Sequence, residues 1–194
     1  VRKLPPASLG RFISRFFRAE RGVTAVEFAL VSVPMCVLIF GIIELAMVFL
    51  VTTTLDTATE AVSRQIRTGE FQTSGANSKA NFKTLVCANM SWLTAQCATD
   101  LTLDVRTFST FNGMATTPPI NPATFDPAAP GCFTPGQPTD IVLVRAYFQW
   151  NLFTPLLSAA LENMGSGSGK RLIASTTAFR NEPFNDNPPV GNAC

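Results

Sequence analysis

The sequence predicts an α+β protein in which one long N-terminal helix, its first part crossing a membrane, runs into a small domain built on an antiparallel sheet. Three observations carry this. A 29-residue apolar stretch, Val23 to Val51, is interrupted only by Glu27, Pro34 and Glu44. Helical spacing then continues through Thr52, Leu55, Thr59, Val62 and Ile66. Further on, Leu101, Leu103 and Val105 alternate with Thr102, Asp104 and Arg106 as a half-buried strand does.

The N-terminal segment is basic. Val1 to Gly22 holds Arg2, Lys3, Arg11, Arg15, Arg18 and Arg21 against the single acid Glu20. Leu9, Phe12, Ile13, Phe16 and Phe17 recur at helical spacing, so the segment reads as a basic amphipathic leader over residues 1–22, suited to an anionic membrane surface. A disordered tail is the other reading for Val1 to Ser8, where Pro5 and Pro6 oppose helix.

A bilayer core of ~30 Å needs ~20 helical residues, so residues 23–51 are long enough for one span. A cleaved secretory signal fits poorly, because its apolar region normally runs only ~7–15 residues. The positive-inside rule places residues 1–22 in the cytoplasm and the chain beyond the span outside it. Residues 52–69 are expected to continue the helix, with Gly69 as its stop. From Val23 to Thr68 it would measure roughly 70 Å at ~1.5 Å per residue.

Residues 70–194 are expected to form the outer α+β domain. Its elements are a short helix over Ser78 to Asn89, a strand over Leu101 to Phe108, and a Pro-rich loop over residues 109–140. A second strand comes next, over Ile141 to Trp150. A helix begins at Thr154-Pro155 and runs to Gly165, and a third strand covers Leu172 to Phe179. Trp92, Phe148 and Trp150, beside strands, read as core, the alternative being an exposed binding platform.

Composition excludes much chemistry. There is no histidine, which removes the commonest general base and transition-metal ligand. No nucleophile sits in a recognisable catalytic motif, leaving Asp104, Asp126 and Asp140 for a carboxylate-only site; the expectation is not an enzyme, with no cofactor and no metal. A net charge of +2 gives no footing for nucleic acid. Gly165-Ser166-Gly167-Ser168-Gly169-Lys170 lacks the phosphate-loop spacing and is followed by Arg171, so it reads as a flexible turn.

Of five cysteines, Cys36 lies in the apolar stretch and reads as a small buried hydrophobe. Cys87, Cys97, Cys132 and Cys194 lie beyond it, where an oxidising periplasm permits disulfides in three pairings. Local geometry favours Cys87 with Cys97, which leaves Cys132 with Cys194. The alternative for the last two is free thiols or bonds to other subunits.

Gly22-Val23-Thr24-Ala25-Val26-Glu27-Phe28 comes after a basic stretch and opens an apolar helix. This pattern resembles the processing site of type IV prepilins. Phe28 to Glu44, with Phe40-Gly41-Ile42-Ile43-Glu44-Leu45, resembles the TadE-like family in particular, the similarity being strongest over Arg21 to Glu60. Ile141 to Trp150 and Ala178 to Phe184 resemble the same family. Phe28 departs from the Tyr frequent in Tad major pilins, and the chain is longer than those subunits.

The resemblance implies a type IV pilin-like lollipop and a minor pilin, pseudopilin or assembly factor of a Tad-type (type IVc) pilus. It implies cleavage by a prepilin peptidase between Gly22 and Val23. The protein would then be single-pass in the bacterial inner membrane, with a cytoplasmic N-terminus and a periplasmic domain. Other pilin subunits, the Tad assembly machinery and, after processing, the pilus itself are its expected partners. Glu27, fifth in the mature chain, would pair with the new α-amine of its own or an adjacent subunit, the other reading being an acid that snorkels to the cytoplasmic headgroups. Glu44, 17 residues on and ~25 Å along the helix, is expected near the opposite interface. The rival reading is an uncleaved, membrane-tethered periplasmic adhesive or ligand-binding domain that uses the Pro-rich loop as its contact surface.

Overall fold

The computed structural model describes residues 22–184 except 76, 116 and 130. The basic leader therefore lies outside the described residues. The chain divides into two compact units, the first ending at Ile43 and the second beginning at Glu44. Helix α1, Val23–Arg67, supplies the described part of the first unit and opens the second.

In the first unit α1 is apolar all round. It runs through Pro34, and Phe28, Leu30, Val31, Val33 and Leu38 are exposed. Surface of that kind is stable in hydrocarbon, not in water. α1 is long and apolar enough to cross a membrane.

In the second unit one stripe of α1 becomes core. Val51, Leu55, Ala58, Val62 and Ile66 are fully buried, at steps of three or four residues that hold one face. Their burial is worth roughly 1.5–3 kcal/mol for each large side chain. The helix ends where Gly69 adopts φ 80°, a left-handed conformation that costs a glycine little. Gly69 also admits the Phe184 ring, with which a Cβ would collide.

After α1 come α2 (Glu70–Thr73), α3 (Lys79–Asn89), a 3-10 turn (Ser91–Leu93), α4 (Thr94–Asp100) and β1 (Leu101–Phe108). Next are α5 (Phe111–Ala115), a second 3-10 turn (Pro122–Thr124), β2 (Ile141–Asn151), α6 (Pro155–Leu161) and β3 (Lys170–Arg180). The sheet is antiparallel in the order β1-β2-β3, with Leu101 opposite Phe148, Ile141 opposite Arg180 and Asn151 opposite Lys170. The expected fold class is therefore observed: a long apolar helix followed by a small antiparallel sheet.

Several elements differ in detail from the sequence reading. Ser78 caps α3, accepting from the Asn81 amide at 3.2 Å, so the helix proper starts one residue later. Cys97 lies on helix α4, in a stretch to which the sequence reading assigns no element. α6 ends at Leu161 rather than near Gly165, because the Glu162 side chain turns to bond the loop beyond it.

β2 is buried on both faces from Ile141 to Trp150. Val142, Val144, Ala146 and Phe148 belong to the core with α1, and Phe71, Phe82 and Phe133 meet edge-on or tilted at 5.5–6.0 Å within it. Two of the alternate residues, Arg145 and Tyr147, are covered by the Pro-rich loop. Arg145 donates to the carbonyls of Thr117 (2.8 Å) and Pro118 (3.0 Å), and Tyr147 packs against Phe125. The loop also closes the free edge of β1: the Val105 amide donates to Cys132 O and the Thr134 amide to Val105 O, each at 2.9 Å.

Candidate functional site

The start of α1 presents the residues singled out by the prepilin-like motif. Gly22 immediately precedes the helix, and among the described residues nothing lies within 4 Å of where its Cβ would be. Val23 is 53% exposed and Phe28 73% exposed, and Glu27 stands on the same exposed turns. Among the described residues Glu27 has no ion-pair or hydrogen-bond partner.

Glu44 is wholly buried by protein, at the first residue of the second unit. Its Oε2 accepts from the backbone amides of Thr154 (2.9 Å) and Phe153 (3.2 Å), with Oε1 3.4 Å from the latter. Those amides precede α6, whose Pro155 has no N–H to offer and whose Thr154 makes no side-chain cap. Glu44 thus supplies from α1 the acceptor that the helix start lacks. The sequence signal was the Thr154-Pro155 start, which calls for an acceptor; its source on another helix is a tertiary fact.

Cys87 and Cys97 are joined by a disulfide that ties α3 to α4. Cys132 is disulfide-bonded, but the expected pairing with Cys194 lies outside the described residues, as does Cys194. Cys36 is free and is exposed on the apolar part of α1.

The three carboxylates open to a catalytic reading are each engaged locally. Asp104, 2% exposed, accepts from Arg106 Nε at 2.9 and 3.0 Å and from the Cys132 amide at 3.0 Å. Asp126 accepts from the Ala128 amide and Asp140 from the Gln137 amide. Among the described residues no cluster of three or more His, Cys, Asp or Glu could hold a metal. Lys79 donates to Gly131 O at 2.7 Å, and burial, partly countered by Asp104, holds its pKa below the ordinary lysine value.

The loop after α6 is organised as an acceptor turn around a side chain. Glu162 receives the Gly167 and Gly169 amides at 2.7 and 2.8 Å, and these bonds lower its pKa. That internal carboxylate already takes the amides a phosphate would need. Phe148 and Trp150 are core, as expected, whereas Trp92 is 46% exposed and meets Trp150 edge-on at 6.2 Å.

No curated protein and no solved structure matches the chain. Residues 22–64, from the glycine before α1 through the stripe that enters the core, match the model of the family described as TadE-like protein.

Proposed function

We propose that this chain is a minor pilin, pseudopilin or assembly factor of a Tad-type pilus. It is noncatalytic, and a prepilin peptidase processes it between Gly22 and Val23. The single observation that carries the reading is the TadE-like match over residues 22–64, which begins at the glycine of the motif. The membrane-long apolar helix supports it.

In this reading the span lies in the bacterial inner membrane. Its basic N-terminal side is cytoplasmic, and the chain beyond Val51 is in the periplasm, where a Cys87–Cys97 disulfide persists. Cleavage frees an α-amine at Val23. The Glu27 carboxylate pairs with that amine in its own or a neighbouring subunit, relieving the cost of an acid in lipid, ~2.5–3.5 kcal/mol near a helix centre.

The test is the mature N-terminus in piliated cells. Mass spectrometry should find a chain beginning at Val23, and Gly22→Leu should accumulate precursor. Glu27→Gln should be cleaved yet assemble poorly. An intact leader beside an active peptidase would overturn the reading in favour of an uncleaved, tethered periplasmic domain. Full piliation by Glu27→Gln would remove the pairing role alone.

A further inference from the structure

The two faces of α1 leave their apolar surroundings at different heights. On the face that meets the domain, burial by protein is complete at Glu44, Val51 and Leu55. On the open face large apolar side chains continue past that level, with Leu45 55%, Phe49 69% and Leu50 46% exposed. The first charged residue on that open surface is Asp56. Ile43 and Glu44 are consecutive residues of α1, so the chain of the span leads directly into this surface. Leaving it in water would cost about 25 cal/mol per Å². On its open face α1 therefore stays within the bilayer, headgroup layer included, as far as Leu50.

From Glu44 to Leu50 the helix rises ~9 Å, close to the ~5–8 Å depth of one polar layer of a bilayer. Over that rise the domain already touches α1, through the Phe153 and Thr154 amides on Glu44. The sheet end that carries Phe153 thus stands at the depth of the headgroups. Its surface chemistry suits that depth. Phe153 is 50% exposed and Trp92 46% exposed, and the exposed Lys170 opens β3 opposite Asn151. Half-exposed aromatic rings beside a cation are the composition of a membrane-interface belt, where rings sit among headgroups and ammonium groups meet phosphate.

We propose that the end of the domain bearing Trp92, Phe153 and Lys170 is a membrane-contact face, seated in the lipid headgroup layer beside α1. This rests on α1 being a membrane span, and the experiment separates the two. Trp92 and Trp150 are the two tryptophans of the chain, so Trp150→Phe isolates Trp92, and the difference between wild type and Trp92→Phe checks it with the core residue Trp150 left in place.

The full chain is reconstituted in vesicles of phosphatidylethanolamine and phosphatidylglycerol, with lipids brominated near the carbonyl or near the chain end. Retention through alkaline carbonate establishes the span. Trp92 should then lose most of its emission to the shallow bromines, lose little to the deep ones, and resist aqueous acrylamide. Retention with Trp92 open to acrylamide and untouched by bromolipid overturns the contact face while leaving the span intact. Shielding that appears only in assembled filaments also overturns it, since protein would then be the cover. Extraction by carbonate overturns the span, and the contact face with it.

Discussion

Replacing Glu44 with alanine should destabilise the domain although the residue lies at its very start. The side chain is fully buried and accepts the Phe153 and Thr154 amides. Each donor orphaned away from water costs ~1–3 kcal/mol, toward the low end for partly buried amides, and the truncated side chain leaves packing unfilled. A total of about 3 kcal/mol is a large share of the ~5–15 kcal/mol that holds a domain together. For a unit of this size it should lower Tm by ~6–12 °C. Unfolding followed in detergent by Trp150 emission measures it, with Leu45→Ala, an exposed neighbour on the same helix, as the control. Glu44→Gln keeps one acceptor oxygen and should fall between. Parity of Glu44→Ala with Leu45→Ala, both within ~0.5 kcal/mol of wild type, would refute the argument that α6 begins on an acceptor supplied by α1.

Removing the α3–α4 bridge with Cys87→Ser and Cys97→Ser together should cost ~3 kcal/mol by loop entropy, read as a lower urea midpoint that reductant reproduces in wild type. Gly131→Ala should destabilise by ~1–3 kcal/mol, because its Cβ would collide with the Leu103 carbonyl oxygen. Faster exchange of the Thr134 amide, which bonds Val105 O, would mark the lost edge. The lowered pKa of Glu162 means that its bonds to the Gly167 and Gly169 amides are fully present above its ordinary value of 4.5. They are lost as pH falls through the lower folded value. Exchange at those two amides should accelerate in that acid range, and Glu162→Gln should abolish the dependence.

Much of this protein is written locally. The apolar length of Val23 to Val51 shows in the residues alone, because a span needs only composition over a stretch. The stripe from Leu55 to Ile66, the alternation of β1 and the Gly69 stop are likewise periodic or single-residue signals, and α1 and β1 lie where those signals put them. The prepilin-like motif is contiguous, and the family match falls on it.

Tertiary structure decided the features that depend on residues far apart in the chain. β2 is buried on both faces because residues 117–125 fold back over Arg145 and Tyr147, and a strand's own alternation says nothing of a distant cover. Asp104 is occupied by an amide 28 positions away. Glu44 shows the limit most clearly. In sequence it is an acid within an apolar run, which reads as an interfacial group, yet the backbone amides that make its burial tolerable come 109 and 110 residues later. Burial of a polar group is set by its partner, and here only the folded chain brings that partner to it.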